Sequence, residues 1–148
     1  MQLPDLKDSE DIGRSVFSSG AAKRAKRHGR IIPEVFLEGR EADSISVDRT
    51  DHAPPSVLAA LSTQTGQNRT PPRNFYGWAT LTVNDAAANR RTVEATPTDA
   101  NIYHADIVLH LSDDNERRDQ QKQHANELAA LAQWRDCLLY TSPSPRDS

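Results

Sequence analysis

The sequence predicts an α+β fold, in which an N-terminal and a C-terminal helix pack on one face of a small, largely antiparallel sheet of about four strands. Three observations predict this class. Short runs rich in alternating apolar or β-branched residues are typical of strands. Patterns with helix-capping residues stand near both ends of the chain. Their order is helix, strand, helix, strand, short helix, strand, strand, helix, which an α+β arrangement explains most simply.

Residues 9–28 are predicted as the first helix. Ser9 is a suitable N-cap, and Gly29 is a suitable C-cap. An apolar stripe is supplied by Ile12, Val16 and Phe17. The basic residues at the end of this segment suit the negative end of a helix dipole.

The middle of the chain is predicted to alternate between strands and short helices. Ser44–Asp48 alternates polar and apolar residues, which is typical of a half-buried strand. Before the loop at 66–74, we expect a partly buried connection over 31–37, the strand over 44–48 and a short helix beginning near Pro55 and ending at Leu61. After it, we expect strands over 75–83, 92–96 and 102–111, with a short helix over 84–89 that Asn84 opens.

The last predicted helix begins at Asp113 or Asp114 and runs to about Asp136. Its inward face is expected to carry Ala125, Leu128, Leu131 and Ala132, which are spaced three and four residues apart. Apolar residues are only 36% of the chain, so we expect a small core that includes Trp78, Phe75 and Leu128.

Residues 137–147 read, codon for codon, as one frame of a transposase-type sequencing adapter. We therefore expect a single domain over residues 1–136, whose natural C-terminus stays open, and a non-native, disordered tail over 137–148. A natural Ser/Pro-rich tail is the alternative. Cys137 is the only cysteine of the 148 residues, so disulfides, thiol catalysis and cysteine zinc sites are not expected in the rest.

Charge and motif content exclude several classes of protein. The formal net charge is −3, which argues against a chain coated with nucleic acid. No apolar run reaches the roughly 18 residues of a membrane span, and no secretory signal opens the sequence, so we expect a cytoplasmic protein. Fourteen Arg against four Lys fit a GC-rich bacterial genome. There is no P-loop, dinucleotide-binding glycine pattern or nucleophile elbow.

His104 and Asp106 form the most suggestive catalytic pattern. Alternate residues of a strand share a face, so both side chains are expected to point the same way. A carboxylate beside an imidazole is the usual arrangement for orienting a general base. The alternative is a histidine at the sheet rim, bonded to the backbone or to Tyr103, and a pattern this short favours that alternative.

Arg49 is the second candidate, because it stands at the predicted end of a strand beside Asp48, Asp51 and His52. It could bind a phosphate or carboxylate with two parallel hydrogen bonds. The alternative, which we favour, is an Arg–Asp pair that holds the loop before Pro54.

One basic segment stands out in this acidic chain. Five of the eight residues from 23 to 30 are basic, namely Lys23, Arg24, Lys26, Arg27 and Arg30. Such a cluster can bind phosphates, or it can simply stabilise the end of a helix. Tyr76, which follows a basic loop, could stack on a base, although aromatic residues in strands more often belong to the core.

Two hypotheses about function follow. The first is a non-catalytic binding or accessory module, whose protein or nucleic-acid partner contacts the Lys23 to Arg30 segment. The second is a small hydrolase or transferase that acts on a phosphate-containing substrate such as RNA, with His104 as general base or acid, Asp106 as its orienter and Arg49 as anion clamp. No cofactor and no metal are expected, since the histidines lack the spacing of a metal motif.

Overall fold

A computed structural model describes residues 2–137, which form one antiparallel sheet of six strands with four α-helices and a short 3-10 helix. The elements are β1 (Asp11–Val16), α1 (Ser19–His28), the 3-10 helix η1 (Pro33–Phe36), β2 (Ser44–Asp48), α2 (Pro55–Gln67), β3 (Gly77–Thr82), α3 (Val83–Ala86), β4 (Thr92–Ala95), β5 (His104–Val108), α4 (Arg117–Leu131) and β6 (Gln133–Asp136). The strands lie in the order β4-β5-β2-β1-β3-β6. The predicted α+β class and antiparallel sheet are confirmed, with six strands instead of about four.

The N-terminal part of the predicted first helix is a strand. β1 lies at the centre of the sheet between β2 and β3, and Ile12 is fully buried there. Ile12 and Val16 are four residues apart, a spacing that places them on one face of a helix and also on one face of a strand. The helix α1 begins later, where the Ser18 hydroxyl accepts a hydrogen bond from the Ala21 N–H at 3.1 Å. Gly29 ends it in a left-handed conformation, as predicted.

The last predicted helix is too long at its C-terminal end. α4 ends at Leu131, and the next four residues form β6, which pairs with β3 at the edge of the sheet. Leu131 is 43% exposed, whereas Ala129 takes the buried position. Pairing with β3 gives the backbone of residues 133–136 hydrogen bonds that local helix propensity does not reveal.

Two further boundaries differ from the prediction. α2 continues past Leu61 to Gln67, so Gly66 is helical. A Cβ atom on Gly66 would lie 2.3 Å from the Arg73 carbonyl oxygen, so only glycine fits this contact. The short helix α3 is capped by Thr82, whose hydroxyl accepts from the Asp85 N–H at 3.1 Å, and not by Asn84.

Helices cover both faces of the sheet, and not one face as predicted. On one face, α1, η1 and α4 bury the main core, whose largest members are Phe36, Ile12, Ile45, Ile107 and Leu128. On the other face, α2 packs on the buried Trp78, and Phe75 packs against this second cluster while partly exposed. Trp78 and Leu128 are thus core residues as predicted. On the α2 face, β2 and β5 carry polar side chains.

Of the expected non-native tail, only Cys137 belongs to the described residues, and its N–H donates to the Tyr76 carbonyl at 3.3 Å. The remaining tail residues, 138–148, lie outside them. None of the helices described within residues 2–137 is long and apolar enough to cross a membrane.

Candidate functional site

A cleft of about 340 Å³ opens where α2 meets the polar side of β1, β2 and β5. We call it the central cleft. Its polar lining includes Ser46, Asp48, Ser62, Arg69, Asn101 and His104. Strand side chains supply its floor, and α2 with the residues after it supplies one wall. Groups on such regular elements are held more rigidly than groups on loops alone.

Asp48 and His104 are direct neighbours in this cleft, because they oppose each other in the antiparallel pair of β2 and β5. Asp48 is 9% exposed, and its Oδ1 accepts a hydrogen bond from the Asn101 side-chain amide at 2.8 Å. Burial raises the pKa of Asp48, and the Asn101 hydrogen bond and the charges of His104 and Arg14 offset this only in part. Asp48 therefore accepts a proton more readily than an ordinary aspartate.

A hydrogen-bond chain determines which nitrogen of His104 carries the proton. The Thr96 hydroxyl donates its only hydrogen to Asp106 Oδ2 at 2.9 Å. The same hydroxyl oxygen lies 2.8 Å from His104 Nδ1, so Nδ1 must be the donor in that contact. Nε2 of the neutral ring is then the unprotonated nitrogen, with a lone pair available as an acceptor.

Thr96 thus joins His104 to Asp106, which do share a face of β5 as predicted. The connection is indirect, through a residue that the sequence patterns did not single out. Thr96 could have been found from the predicted strands over 92–96 and 102–111, because a hairpin between them brings their near ends together. The Thr96 N–H does donate to the His104 carbonyl at 3.0 Å.

Arg69 is the cation most available to a ligand of the central cleft. Its guanidinium lies over the Phe17 ring, 4.3 Å from the centroid, and it makes no ion pair with any of residues 2–137. The second arginine of the cleft, Arg14, is held by Glu38 at 2.7 Å and by the Val35 and Ser46 carbonyls at 3.0 Å each. Arg69 was not among the candidates that the sequence suggested.

The structure places Arg49 outside the central cleft. It follows Asp48 along the chain, and its side chain, 2% exposed, donates to both carboxylate oxygens of Glu10 at 2.7 and 3.0 Å. It also donates to the Pro4 carbonyl at 2.7 Å. Burial raises the Glu10 pKa, but the hydrogen bond and the charge of Arg49 outweigh it, so the net shift is downward. Arg49 thus has a carboxylate partner, as the structural alternative expected, but the partner is Glu10 and not an aspartate.

The basic segment is a surface on the second half of α1 and the residues just after it. All five basic side chains are exposed, while Ala21, Ala22 and Ala25 face the core. Lys26 Nζ lies 3.1 Å from Asp136 on β6, and the other four make no ion pair within residues 2–137. Asp136 pairs with Gly77 in the sheet, so the half-buried Tyr76 stands at the same end of the molecule. We call these five basic residues the α1 patch.

The remaining histidines are dispersed. His52 Nε2 lies 3.4 Å from Glu10 Oε1, His110 contacts Thr92, and His124 contacts Arg91. Within residues 2–137, no three His, Cys, Asp or Glu side chains are grouped so as to hold a metal ion.

The chemistry available in the central cleft comes from three side chains. His104 offers an acceptor, Asp48 a readily protonated carboxyl group, and Arg69 a cation. Comparisons with protein-family models, with curated proteins and with solved structures give no significant match to this chain.

Proposed function

We propose that the chain is a non-catalytic binding module that holds a small polar ligand in the central cleft. The observation that carries this proposal is the pair of hydrogen bonds by which Thr96 joins His104 Nδ1 to Asp106, because they leave His104 Nε2 as an oriented acceptor for a ligand hydroxyl group. A ligand hydroxyl would donate to His104 Nε2 and contact Asp48. An anionic group on the same ligand would bind Arg69.

Ligand screening with two histidine variants tests this proposal. In His104→Asn, the shorter amide can still donate to Thr96, but the Nε2 acceptor is lost. In His104→Gln, the longer amide reaches into the cleft, but the Thr96 contact is lost. Sugar phosphates and nucleoside monophosphates would be titrated by calorimetry against wild type and both variants.

We expect His104→Asn and Arg69→Gln each to weaken binding by about 10-fold or more, as loss of a hydrogen bond to a charged or oriented group does. His104→Gln should retain part of the affinity. Arg40→Gln, which removes an exposed arginine that does not line the cleft, is the matched control. Equal affinity in wild type and Arg69→Gln would contradict the assignment of the anionic end.

A second candidate is a hydrolase or transferase that acts on a phosphate-containing substrate such as RNA. The raised pKa of Asp48 beside an unprotonated His104 Nε2 favours it, because the two groups could serve as acid and base. Nε2 would take the proton of an attacking hydroxyl as its oxygen bonds to phosphorus, and the Asp48 carboxyl group would protonate the departing oxygen. Asp106 would act through Thr96, and Arg69 would replace Arg49 as anion clamp.

Turnover distinguishes the two candidates. A fluorogenic RNA and bis(p-nitrophenyl) phosphate would be incubated with wild type, His104→Asn and Arg40→Gln. Cleavage by wild type and Arg40→Gln, abolished in His104→Asn, would support catalysis. Ligand binding without any turnover would leave the binding module as the function.

For the partner, we propose that the α1 patch contacts nucleic acid, with a protein partner as the alternative. Four of its five cations are not paired within residues 2–137, and Tyr76 at the same end offers a ring on which a base could stack. A cytoplasmic location remains a prediction from the sequence.

A further inference from the structure

A second cleft, of about 330 Å³, lies between the turn before β4, the end of β5 and one side of α4. Its lining includes Asn89, Arg90, His110, Gln120 and His124. None of these residues lines the central cleft. We call it the Arg90 cleft.

The backbone at the mouth of the Arg90 cleft is strained. Asn89 and Arg90 have φ values of 58° and 70°, and the Arg91 N–H donates to the Ala88 carbonyl at 3.4 Å. Positive φ at both central residues is the mark of a type I′ turn, whose second position normally holds glycine. Asparagine tolerates this region, but arginine does so poorly. His110, on a different loop, has φ 56°. Residues held in this region cluster at functional sites.

The neighbouring side chains present donors to the Arg90 cleft. An arginine can only donate, so the 2.9 Å contact of Arg91 with His124 Nδ1 makes that nitrogen an acceptor and leaves the hydrogen on Nε2. Burial and the charge of Arg91 lower the pKa of His124 against the opposing charge of Glu127, which favours the neutral ring. Gln120 Oε1 accepts from the Ser112 N–H at 3.0 Å, so its NH₂ group remains to donate.

Charge in the Arg90 cleft is also unbalanced towards the positive. Glu127 accepts from Arg91 at 2.7 Å and from the Asn89 amide at 2.9 and 3.0 Å, so this nearby carboxylate is already neutralised. Arg90 is exposed and makes no ion pair within residues 2–137. A ligand group that complements these donors and this positive charge has several acceptor oxygens and a negative charge.

We propose that the Arg90 cleft is a second binding site, which takes the phosphate group, or another tetrahedral oxyanion, of a small ligand. Arg90 supplies the charge, and His124 Nε2 and the Gln120 amide donate from α4. Arg90 lines this cleft from a backbone conformation that normally belongs to glycine. The site is independent of the ligand proposed for the central cleft.

Two arginine substitutions test the proposal with the full chain, using inorganic phosphate and pyrophosphate as probes. Arg90→Gly relieves the turn and removes the cation of the cleft, whereas Arg40→Gln removes an exposed arginine that does not line the Arg90 cleft. We expect Arg90→Gly to unfold at a higher temperature without phosphate, yet to bind either probe about 10-fold or more weakly than wild type. Arg40→Gln should bind as wild type does.

Nuclear magnetic resonance locates the probe. Titration should shift the side-chain signals of Gln120 and His124 in wild type and Arg40→Gln, and should shift them much less in Arg90→Gly. The proposal is overturned if wild type binds neither probe, if Arg90→Gly binds them as tightly as wild type, or if the shifts map to the α1 patch or to the central cleft.

Discussion

His104 and Asp48 face each other across β5 and β2, and this pairing places an imidazole and a buried carboxyl group on the floor of the central cleft. The two groups differ in how they are held. Asp48 is bonded to Asn101, and His104 is bonded through Thr96 to Asp106. Asn101 affects the protonation of Asp48, whereas Thr96 affects the tautomer of His104. The two properties can therefore be altered by separate substitutions.

Replacing Thr96 with valine should allow His104 to adopt both neutral tautomers. The variant keeps the shape of the side chain but removes the hydroxyl that joins His104 to Asp106. We expect both neutral tautomers in nitrogen-15 spectra of the ring, where wild type shows hydrogen on Nδ1, and a stability loss of about 1 kcal/mol. Thr96→Ser keeps the hydroxyl and is the control. A wild-type ring spectrum in Thr96→Val would show that the chain does not determine the tautomer.

Replacing Asp48 with asparagine should stabilise the fold at neutral pH. A carboxyl group whose folded pKa is raised stabilises the fold below its ordinary pKa of 3.8, and this contribution is lost as the pH rises through the folded value. Asparagine carries no charge to bury. We expect Asp48→Asn to unfold at a higher urea concentration than wild type at pH 7, with a difference that narrows in acid.

The exposed Asp99→Asn provides the comparison for Asp48→Asn. It should match wild type at both pH values. Lower stability of Asp48→Asn at pH 7 would mean that the charged form of Asp48 is favoured in the fold. The same variant should weaken ligand binding in the central cleft if the proposed function is correct.

The buried pair of Arg49 and Glu10 should be structural and sensitive to acid. Glu10→Gln leaves the Arg49 charge without its counter-ion, which typically costs about 3 kcal/mol when the pair is buried. Because the Glu10 pKa is lowered in the fold, its contribution is present above the ordinary value of 4.5 and is lost as the pH falls through the folded value. Urea unfolding should therefore show a large deficit for Glu10→Gln at pH 7 and a smaller one in strong acid.

Glu41→Gln, at an exposed glutamate, serves as the control for Glu10→Gln. Ligand binding in the central cleft should survive in Glu10→Gln wherever the chain remains folded, because neither Glu10 nor Arg49 lines that cleft. Loss of binding by a fully folded Glu10→Gln would argue that Arg49 belongs to the site after all.

Charge reversal on the α1 patch should weaken nucleic-acid binding in a salt-dependent way. The triple variant Lys23→Glu, Arg27→Glu and Arg30→Glu spares Lys26, which is paired with Asp136. We expect fluorescence anisotropy with labelled RNA to show weaker binding and a shallower salt dependence, since fewer counterions are released. Reversal of the exposed Arg40 and Lys122 is the control. Unchanged RNA affinity in the triple variant would assign the patch to helix stabilisation.

Local sequence patterns predicted an element correctly where the pattern fits only one type of secondary structure. The alternation of Ser44–Asp48 identified β2, and Gly29 marked the end of α1. The spacing of Ile12 and Val16 did not identify β1, because it suits a helix and a strand equally well. Residues 11–16 form a strand and not a helix because they pair with a neighbouring strand on both sides, β2 and β3.

The site was harder to predict than the elements. His104 and Asp106 are two residues apart, so their shared face follows from strand geometry alone. The pairing of Asp48 with His104 depends on the register of two strands that lie 56 positions apart in the chain, which no local pattern specifies. Arg69 likewise reaches the central cleft only because α2 runs six residues beyond its predicted end at Leu61.

β6 also has a consequence for solubility. It pairs with β3 through four residues, and Trp134 lies close over Gly77. Without it, the backbone donors and acceptors along that side of β3 would face water and could template pairing with another chain. A polypeptide cut after Leu131 would thus expose β3 as an unpaired edge strand. We expect such a polypeptide to self-associate and not to lose its helices.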